Sequence, residues 1–299
     1  MGFRNVREYA AAEEAGQSWI TGFRKLVASP ATVTSNWLDL TYSGGSPPAK
    51  FYASEPLVAA EVESDKGIYV PTVSTADQYL HRLTLMALAA SATTTSANNT
   101  PFMLMDYLLY YPFIDTDAAG EEQLLDNTVT IPRYDAGQVI AIAQSASSAV
   151  GQFTMSYTNQ DGTAGRTSQN TFTLATITGG GQSLISNASA AGTLPFVGLQ
   201  TGDTGVKSIE SVTFTAAGGG LVCLVIVKPL MRGIMPQVSR RTTSSNLESY
   251  GSATQYDMIL HQARAPKVED GAVLGLMLRG DGGSLATTNF VGILDTMWN

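Results

Sequence analysis

The sequence predicts a mainly β protein, an antiparallel β-sandwich of the jelly-roll type with a short helical arm at the N-terminus. Short apolar runs alternate with turn segments rich in Gly, Ser, Thr and Asn, which is typical of strands joined by tight connections. No long helical pattern separates these runs, so a parallel βαβ fold is disfavoured. Thr and Val, which β surfaces favour, are abundant within the runs.

The N-terminal segment has helical spacing. Its apolar side chains recur at mixed steps of three and four, namely Phe3, Val6, Ala10, Trp19, Ile20, Phe23 and Leu26. Gly16 and Gly22 weaken the pattern, so two short helices are as well supported as one, and Pro30 ends it. Residues 1–30 are therefore predicted to form a helical arm, which either packs on its own domain or docks on a neighbouring subunit. Residues 31–299 form the predicted β-sandwich domain.

The β pattern begins after this arm. Residues 79–89 fit a helix or a strand, and a strand is favoured because a polar loop and another apolar run follow directly. That next run, Phe102–Pro112, is almost unbroken, as expected for a strand that is buried on both faces.

The second half of the chain continues in the same rhythm. Asn159–Gly162 is predicted to be a turn that closes a hairpin between residues 152–158 and 171–177. A long excursion is predicted within residues 231–257, because Ser239–Ala253 is polar and has few large apolar side chains. The other predicted strands are 129–131, 139–143, 196–199, 206–215, 221–227, 258–260, 273–278 and 290–294.

The composition disfavours several classes of protein. Charged residues make up only 14% of the 299, below the ~25% of an average soluble domain. A net charge of −8, with 17 Lys and Arg, lacks the electrostatic footprint of a nucleic-acid binder. No stretch approaches the roughly 18 apolar residues of a membrane span. The single cysteine, Cys223, lies in an apolar run and is predicted to be a buried core residue.

Candidate catalytic and metal-binding residues are few. The two histidines, His81 and His261, stand in no recognisable motif, so structural roles are favoured. A calcium-loop pattern is broken by Ala119 and Asp126. The sequence therefore predicts no catalytic, cofactor-binding or metal-binding residues, no cofactor and no enzyme. The acidic pairs, which are expected in a solvated loop, are Asp115 with Asp117 and Glu121 with Glu122.

Several short motifs follow one another along the chain. They are Asp106–Asp115, Asn127–Tyr134, the hairpin Tyr157–Gly162 with Gly165–Ser168, Gly202–Val206 with Ser211–Val212, Lys228–Leu230 and Trp298–Asn299. Their order over roughly residues 35–299 resembles a family of tailed-bacteriophage virion proteins of unassigned or capsid-associated role. The resemblance brings no catalytic residues with it.

The resemblance implies a cement or decoration protein of the virion, assembled in the host cytoplasm. Its expected partners are the major capsid protein and copies of itself, in a homotrimer, and neither nucleic acid nor a membrane. The residues predicted to lie at these interfaces are Phe3, Trp19, Phe23, Tyr110 and Tyr111. One alternative is a tail, collar or fibre component that binds host glycan. Another is a polysaccharide-active enzyme, which would need two carboxylates facing each other in a cleft.

Overall fold

The predicted mainly β, sandwich-like architecture is confirmed by the structure, and the jelly-roll subtype stays a prediction. Every strand pairs with its neighbours in antiparallel fashion. The structure is a computed structural model that describes residues 3, 5–27, 36–73, 76–89, 100–148, 151–173, 176–185, 194–235, 253–258, 265–280, 285 and 288–299.

Within these residues the chain forms one α-helix, α1, two short 3-10 turns and nineteen strands. The helical elements are α1 Val6–Glu14 and the turns Leu40–Tyr42 and Ser64–Lys66. The strands are β1 Ser18–Leu26, β2 Trp37–Asp39, β3 Gly44–Ser46, β4 Ala60–Glu61, β5 Gln78–Ala89, β6 Thr100–Asp115, β7 Glu122–Leu124, β8 Gln138–Ala143, β9 Ser147–Ser148, β10 Gln152–Asn159, β11 Arg166–Thr167, β12 Thr171–Phe172, β13 Thr176–Ile177, β14 Val206–Phe214, β15 Leu221–Met235, β16 Thr254–Asp257, β17 Lys267–Val268, β18 Leu274–Arg279 and β19 Thr288–Trp298.

The helical arm is correct for residues 6–14 and wrong for residues 18–26. Asn5 caps α1, because its side chain accepts hydrogen bonds from the backbone N–H groups of Arg7 and Glu8. Gly16, with φ +68°, follows the helix end in the left-handed conformation that suits a C-terminal cap. Beyond it, β1 pairs along its full length with β19. Tertiary pairing therefore overrides a spacing that locally resembles a helix.

Three main sheets organise the strands. Sheet A has the order β16-β5-β19-β1-β3, with β17 also paired to β5. Sheet B has the order β2-β18-β6-β15-β8, with β4 also paired to β6, and sheet C has the order β11-β10-β14-β7, with β12 paired to β10. A small fourth sheet joins β9 and β13.

Sheet B lies at the centre because its long strand β6 packs against both other sheets. Phe102 and Leu104 of β6 belong to the apolar cluster that contains the inner side chains of sheet A. Leu109 and Tyr111 belong to the cluster that contains the inner side chains of sheet C. Every residue from Phe102 to Pro112 is buried, which confirms the predicted strand with two buried faces.

A bulge in β6 lies between these two contacts. Ile226 of β15 pairs with Leu109, whereas the next residue, Val227, pairs with Tyr107, so Leu108 is the extra residue. One extra residue shifts the in-and-out alternation of a strand by one. On the same face of β6, the even-numbered Leu104 therefore meets sheet A before the bulge, and the odd-numbered Leu109 meets sheet C after it.

The opposite face of sheet B is covered by loops rather than by another sheet. Tyr52 and Val62 come from the segment between β3 and β5, and they belong to the apolar cluster that contains Tyr107 and Cys223. Cys223 is fully buried, as predicted.

Most of the other predicted strands are confirmed. Strands β5, β8, β10, β14, β15, β18 and β19 fall on predicted segments. The prediction for residues 129–131 is wrong, because this segment is a loop held at Asn127 and Arg133. Residues 196–199 form only a single bridge, from Phe196 to Ile140.

Two predictions are confirmed only in part. The Asn159–Gly162 turn exists, with the Gly162 N–H bonded to the Asn159 carbonyl, and β10 pairs with β11 and β12. Residues 176–177 pair instead with β9. In the excursion, residues 231–235 continue β15 and residues 254–257 form β16, whereas residues 236–252 lie outside the described part, as do residues 259–260 of another predicted strand.

Replacing Gly292 with alanine should lower the free energy of unfolding by about 1–3 kcal/mol, the usual cost of overpacking a core. A Cβ at this position would lie 2.2 Å from the ring of Phe23, its partner across the sheet. Gly22→Ala is the matched control, because a Cβ there meets nothing within 4 Å and should change stability by less than about 0.5 kcal/mol. Denaturant unfolding measures both, and equal losses would contradict this packing.

Candidate interaction surface

Several polar residues of the sequence motifs form hydrogen bonds inside the protein. Asp106 of β6 is fully buried and receives two hydrogen bonds from the guanidinium of Arg133, at 2.9 and 3.2 Å. Arg133 also donates to the carbonyl of Tyr107, and the backbone N–H of Val273 donates to Asp106. This ion pair ties the loop after β7 to the central strand.

A second internal link involves Tyr111, which is also on β6. Its hydroxyl donates to the Asn127 side-chain oxygen at 2.6 Å and accepts from the backbone N–H of Ile209 at 3.1 Å. Asn127 in turn donates to the Ile209 carbonyl at 3.0 Å. The three groups form a closed ring that joins sheet B, the loop and sheet C.

A third link is centred on Asp203. Its carboxylate accepts hydrogen bonds from Arg166, Tyr157 and Asn159, at distances between 2.6 and 3.2 Å. These bonds, first that of Arg166, lower the pKa of Asp203 to about 2. The four residues come from two of the motifs, so these contacts account for the presence of those residue types there.

The five predicted interface residues fall into two groups. Phe23, Tyr110 and Tyr111 are 4%, 6% and 0% exposed, so their side chains are packed in the core of their own chain. Phe3 is partly buried and stacks on the ring of Tyr9 at 4.0 Å. Trp19 is 44% exposed. Contact with another subunit stays a prediction for all five.

An apolar surface lies on the outward side of sheet A. Ile20, Ile293 and Leu26 are 66%, 45% and 42% exposed, although all three are large aliphatic side chains. Val291 and Met86, which are partly exposed, lie beside them. We call these five residues, Ile20, Leu26, Met86, Val291 and Ile293, the apolar face.

The strand register places the apolar face on one side of three adjacent strands. Gly22 of β1 lies opposite Ile293 of β19, and Arg24 lies opposite Val291. On the other side of β19, Val291 lies opposite Met86 of β5. Residues that lie opposite each other in a sheet point to the same face. Because Gly22 has no side chain, the surface between Ile20 and Arg24 stays low.

Few charges interrupt the apolar face. The Arg24 guanidinium donates two hydrogen bonds to the side-chain oxygen of Asn289, at 2.9 and 3.2 Å. Arg82 and Asp295 form an ion pair at 3.8 Å at one end. Both arginines therefore have partners within sheet A. The aliphatic side chains near them, Ile20, Leu26 and Ile293, remain largely exposed.

The first half of β1 carries an exposed aromatic pair. Trp19 meets Tyr69 edge to face with ring centroids 6.1 Å apart. The Trp19 indole donates to the Thr21 hydroxyl, which itself donates to the Tyr69 carbonyl. Tyr69 is 60% exposed. Trp19 alternates with Ile20 along β1, so the pair lies on the other side of the strand from the apolar face.

The outward side of sheet C differs in character. Its facing pairs on β10 and β14 are hydroxyl residues, Thr154 with Thr213 and Ser156 with Ser211. One large apolar side chain, Leu124 of β7, is 70% exposed among them. Ser211 is buried and the other three hydroxyl residues are partly exposed, so sheet A presents the larger group of exposed aliphatic side chains.

Sequence reasoning missed the apolar face because residues 18–26 were interpreted as a helix. A period-two signal was available in β1, where the buried Phe23 and Lys25 alternate with the exposed Gly22, Arg24 and Leu26. The buried lysine hid this signal, since lysine counts as polar in a pattern of apolar residues.

Buried charged side chains lie near the C-terminal end of β1, which contains the buried Lys25. Asp39 is fully buried, and its carboxylate accepts hydrogen bonds from the hydroxyls of Thr41, Tyr52 and Tyr107 at 2.6 to 3.0 Å. Burial raises the pKa of Asp39, and these bonds oppose the rise. The cluster fixes the turn after β2 against the central sheet.

Two lysines near this cluster are 4% exposed. Lys25 donates to the carbonyls of Ser43 and Pro48, each at 3.2 Å. The Lys50 ammonium lies 5.6 Å from the ring centres of both Tyr52 and Tyr110. Burial lowers the pKa of each lysine to about 8, whereas the negative charges of nearby carboxylates act to raise it.

The free energy of unfolding should rise as the pH increases from about 8 to about 10. In this window the unfolded lysines, with a pKa near 10.4, still bind protons that Lys25 and Lys50 have lost in the folded state. Above about pH 10 it should fall, because burial raises the pKa of Tyr157 to about 12 while unfolded tyrosine ionises near 10. Urea midpoints at pH 7.5, 9.5 and 11 measure this, and Lys50→Met should flatten the first rise. A midpoint that falls steadily from pH 7.5 would contradict it.

The candidate catalytic residues of the sequence have structural partners. Asp115 accepts a hydrogen bond from the Asp117 N–H, Asp117 from the Gly219 N–H, and Glu122 from the Ser211 hydroxyl. His81 is 8% exposed, and burial lowers its pKa. Glu121 is exposed, and His261 lies outside the described residues. In the part of the chain that the structure covers, no three His, Cys, Asp or Glu side chains are grouped to hold a metal.

No family model matches the chain, and neither does any curated protein or any solved structure. Among the described residues, no helix has the length and apolar character required to cross a membrane.

Proposed function

We propose that this protein is a structural component of a tailed-phage virion, a cement or decoration protein that binds the head through protein–protein contacts. The observation that carries the proposal is the apolar face of sheet A, which the chain leaves uncovered in its described part. The resemblance of the sequence motifs to tailed-phage virion proteins is the reason that we propose a phage particle as the assembly.

Large aliphatic side chains that stay in water have a higher free energy than buried ones. Full burial of one isoleucine or leucine gains about 1.5–3 kcal/mol. Contiguous exposed apolar groups on a rigid sheet mark surfaces that another protein covers. The low share of charged residues acts in the same direction, because charged side chains must be desolvated when an interface forms.

The internal use of polar groups supports a structural role. Asp106, Tyr111 and Asp203 each tie two or more segments together, and their hydrogen-bonding atoms face other protein groups. A protein that serves in many copies of a shell gains from such rigidity, since a preorganised surface loses less entropy on binding.

Replacing both Ile20 and Ile293 with lysine should reduce binding to empty heads of the phage that encodes the chain at least tenfold. Each change places a charge in the apolar face, and ten-fold corresponds to about 1.4 kcal/mol. The control is Leu124→Lys, the same chemical change at an exposed apolar residue of sheet C. Co-sedimentation with heads measures the binding. Retained binding by the double variant, or an equal loss in the control, would overturn the proposal.

The expected homotrimer is tested separately by light scattering during size-exclusion chromatography.

A second candidate function, glycan binding by a tail or fibre component, is favoured by the exposed Trp19 and Tyr69. Aromatic rings of this kind provide flat apolar surfaces with a polar edge. Glycan binding that is lost in Trp19→Ala, together with no binding to heads, would favour this second candidate.

A further inference from the structure

A groove with a volume of about 490 Å³ lies on sheet B beside the second half of β15. Its walls include Met103, Phe196, Pro229, Leu230 and Met231. The volume falls within the range of about 300–1,000 Å³ that ligand sites occupy, and the walls combine these apolar side chains with polar surface. Methionine side chains adapt readily to the shape of a ligand.

A bulge shapes this part of β15. Pro229 pairs with Met105 of β6 and Met231 pairs with Leu104, so Leu230 is an extra residue without a partner on β6. Bulges re-aim the side chains around them and recur beside functional sites.

One edge of β15 is open at the groove. Strand β8 pairs with β15 only from Val222 to Val227, whereas β6 pairs with the other edge as far as Met235. Among the described residues, no strand pairs with the β8-side edge of residues 228–233. Phe196 stands at the groove because it forms a bridge with Ile140 of β8. Pro229 has no backbone N–H, so the unpaired backbone groups that could bind an added strand are those of residues 230–233.

The groove carries one positive charge. Arg232 is exposed, lines the groove and takes part in none of the ion pairs formed within the described part of the chain. The chain as a whole has a net charge of −8, so Arg232 gives the groove a charge of opposite sign to that of the chain. Its planar guanidinium is suited to bind a carboxylate through two hydrogen bonds.

We propose that the groove binds an extended peptide segment of a partner protein, which adds to the open edge of β15, places apolar side chains between Phe196 and Leu230, and pairs a carboxylate with Arg232. The open strand edge favours a peptide over a fatty acid, because only a peptide has backbone groups that satisfy the edge. This deepens the proposed function and rests on it only for the identity of the partner as a neighbouring virion subunit.

The test uses the full-length protein and fluorescein-labelled hexapeptides of alternating valine and threonine. One peptide carries a central aspartate, and the second carries lysine in its place. Fluorescence anisotropy should show binding of the aspartate peptide at least tenfold tighter than that of the lysine peptide. A third peptide, with proline in the centre and the aspartate kept, should lose binding, because proline removes a backbone donor.

Variants of the groove separate a binding role from a structural one. R232S should weaken the aspartate peptide about tenfold, and R232E should reverse the preference in favour of the lysine peptide. R24S, which removes an exposed arginine from sheet A, is the control and should change nothing. Equal binding of the two charged peptides, no binding of either, or binding of decanoate alone would overturn the proposal. If the unchanged protein binds the aspartate peptide but does not bind heads, the proposed function is refuted and the groove site remains supported.

Discussion

Replacing Arg133 with methionine should lower the free energy of unfolding by about 3–5 kcal/mol, the cost of breaking a buried ion pair by removing one partner. Asp106 is 0% exposed and Arg133 is 14% exposed, so water cannot replace the lost hydrogen bonds without opening the loop. After the change, the carboxylate keeps the backbone N–H of Val273 as a donor and lacks its countercharge. Denaturant unfolding at neutral pH measures the loss.

The matched control is Lys66→Met, which removes the same charge from an exposed ion pair. Lys66 and Asp65 are 2.9 Å apart, but Asp65 is 67% exposed, and such pairs contribute about 0–1 kcal/mol. The double variant Arg133→Met with Asp106→Leu should recover more than half of the loss, because an apolar pair leaves no buried charge. If Arg133→Met and Lys66→Met cost the same, the ion pair does not hold the loop as described.

Tyr111→Ala should cost about 3–5 kcal/mol, as expected when a large aromatic side chain is removed from a core. The residue is 0% exposed and packs between sheets B and C. The change also leaves the Ile209 N–H and the Asn127 side chain without their shared partner. Thermal and denaturant unfolding should both show the loss.

Tyr111→Phe separates the hydroxyl from the ring. It keeps the packing and removes only the hydrogen bonds, so the expected cost is about 1–3 kcal/mol. Because the side chain faces its own core, head binding of the phenylalanine variant should be normal while it is folded. A phenylalanine variant that is as unstable as the alanine variant would contradict the role of packing, and a neutral one would contradict the closed ring of hydrogen bonds.

The central strand shows how far local sequence reasoning reaches. Phe102–Pro112 contains so many apolar residues that it cannot face water on either side, and it therefore predicts a strand buried on both faces. The structure confirms this for every residue of the run. The bulge at Leu108, which changes which residues of β6 face sheets A and C, has no signal in the run itself, because it depends on the register with β15.

The internal links were visible only as motifs. Arg133 and Asn127 stand in a segment that was predicted to contain a strand, and their partners on β6 are sixteen or more residues away. Spacing along a chain says nothing about which loop returns to which strand. Long-range contacts of this kind are set by the whole topology.

The sequence by itself determined the fold class, the doubly buried strand β6 and the burial of Cys223, because each follows from local alternation or apolar content. Only the tertiary structure decided that residues 18–26 are a strand, since pairing with β19 outweighs a weak helical spacing. The apolar face and the groove beside Arg232 were decided in the same way. A surface is created by segments that are distant in sequence, and the free energy that brings them together lies in cross-strand pairing and packing, which no single segment contains.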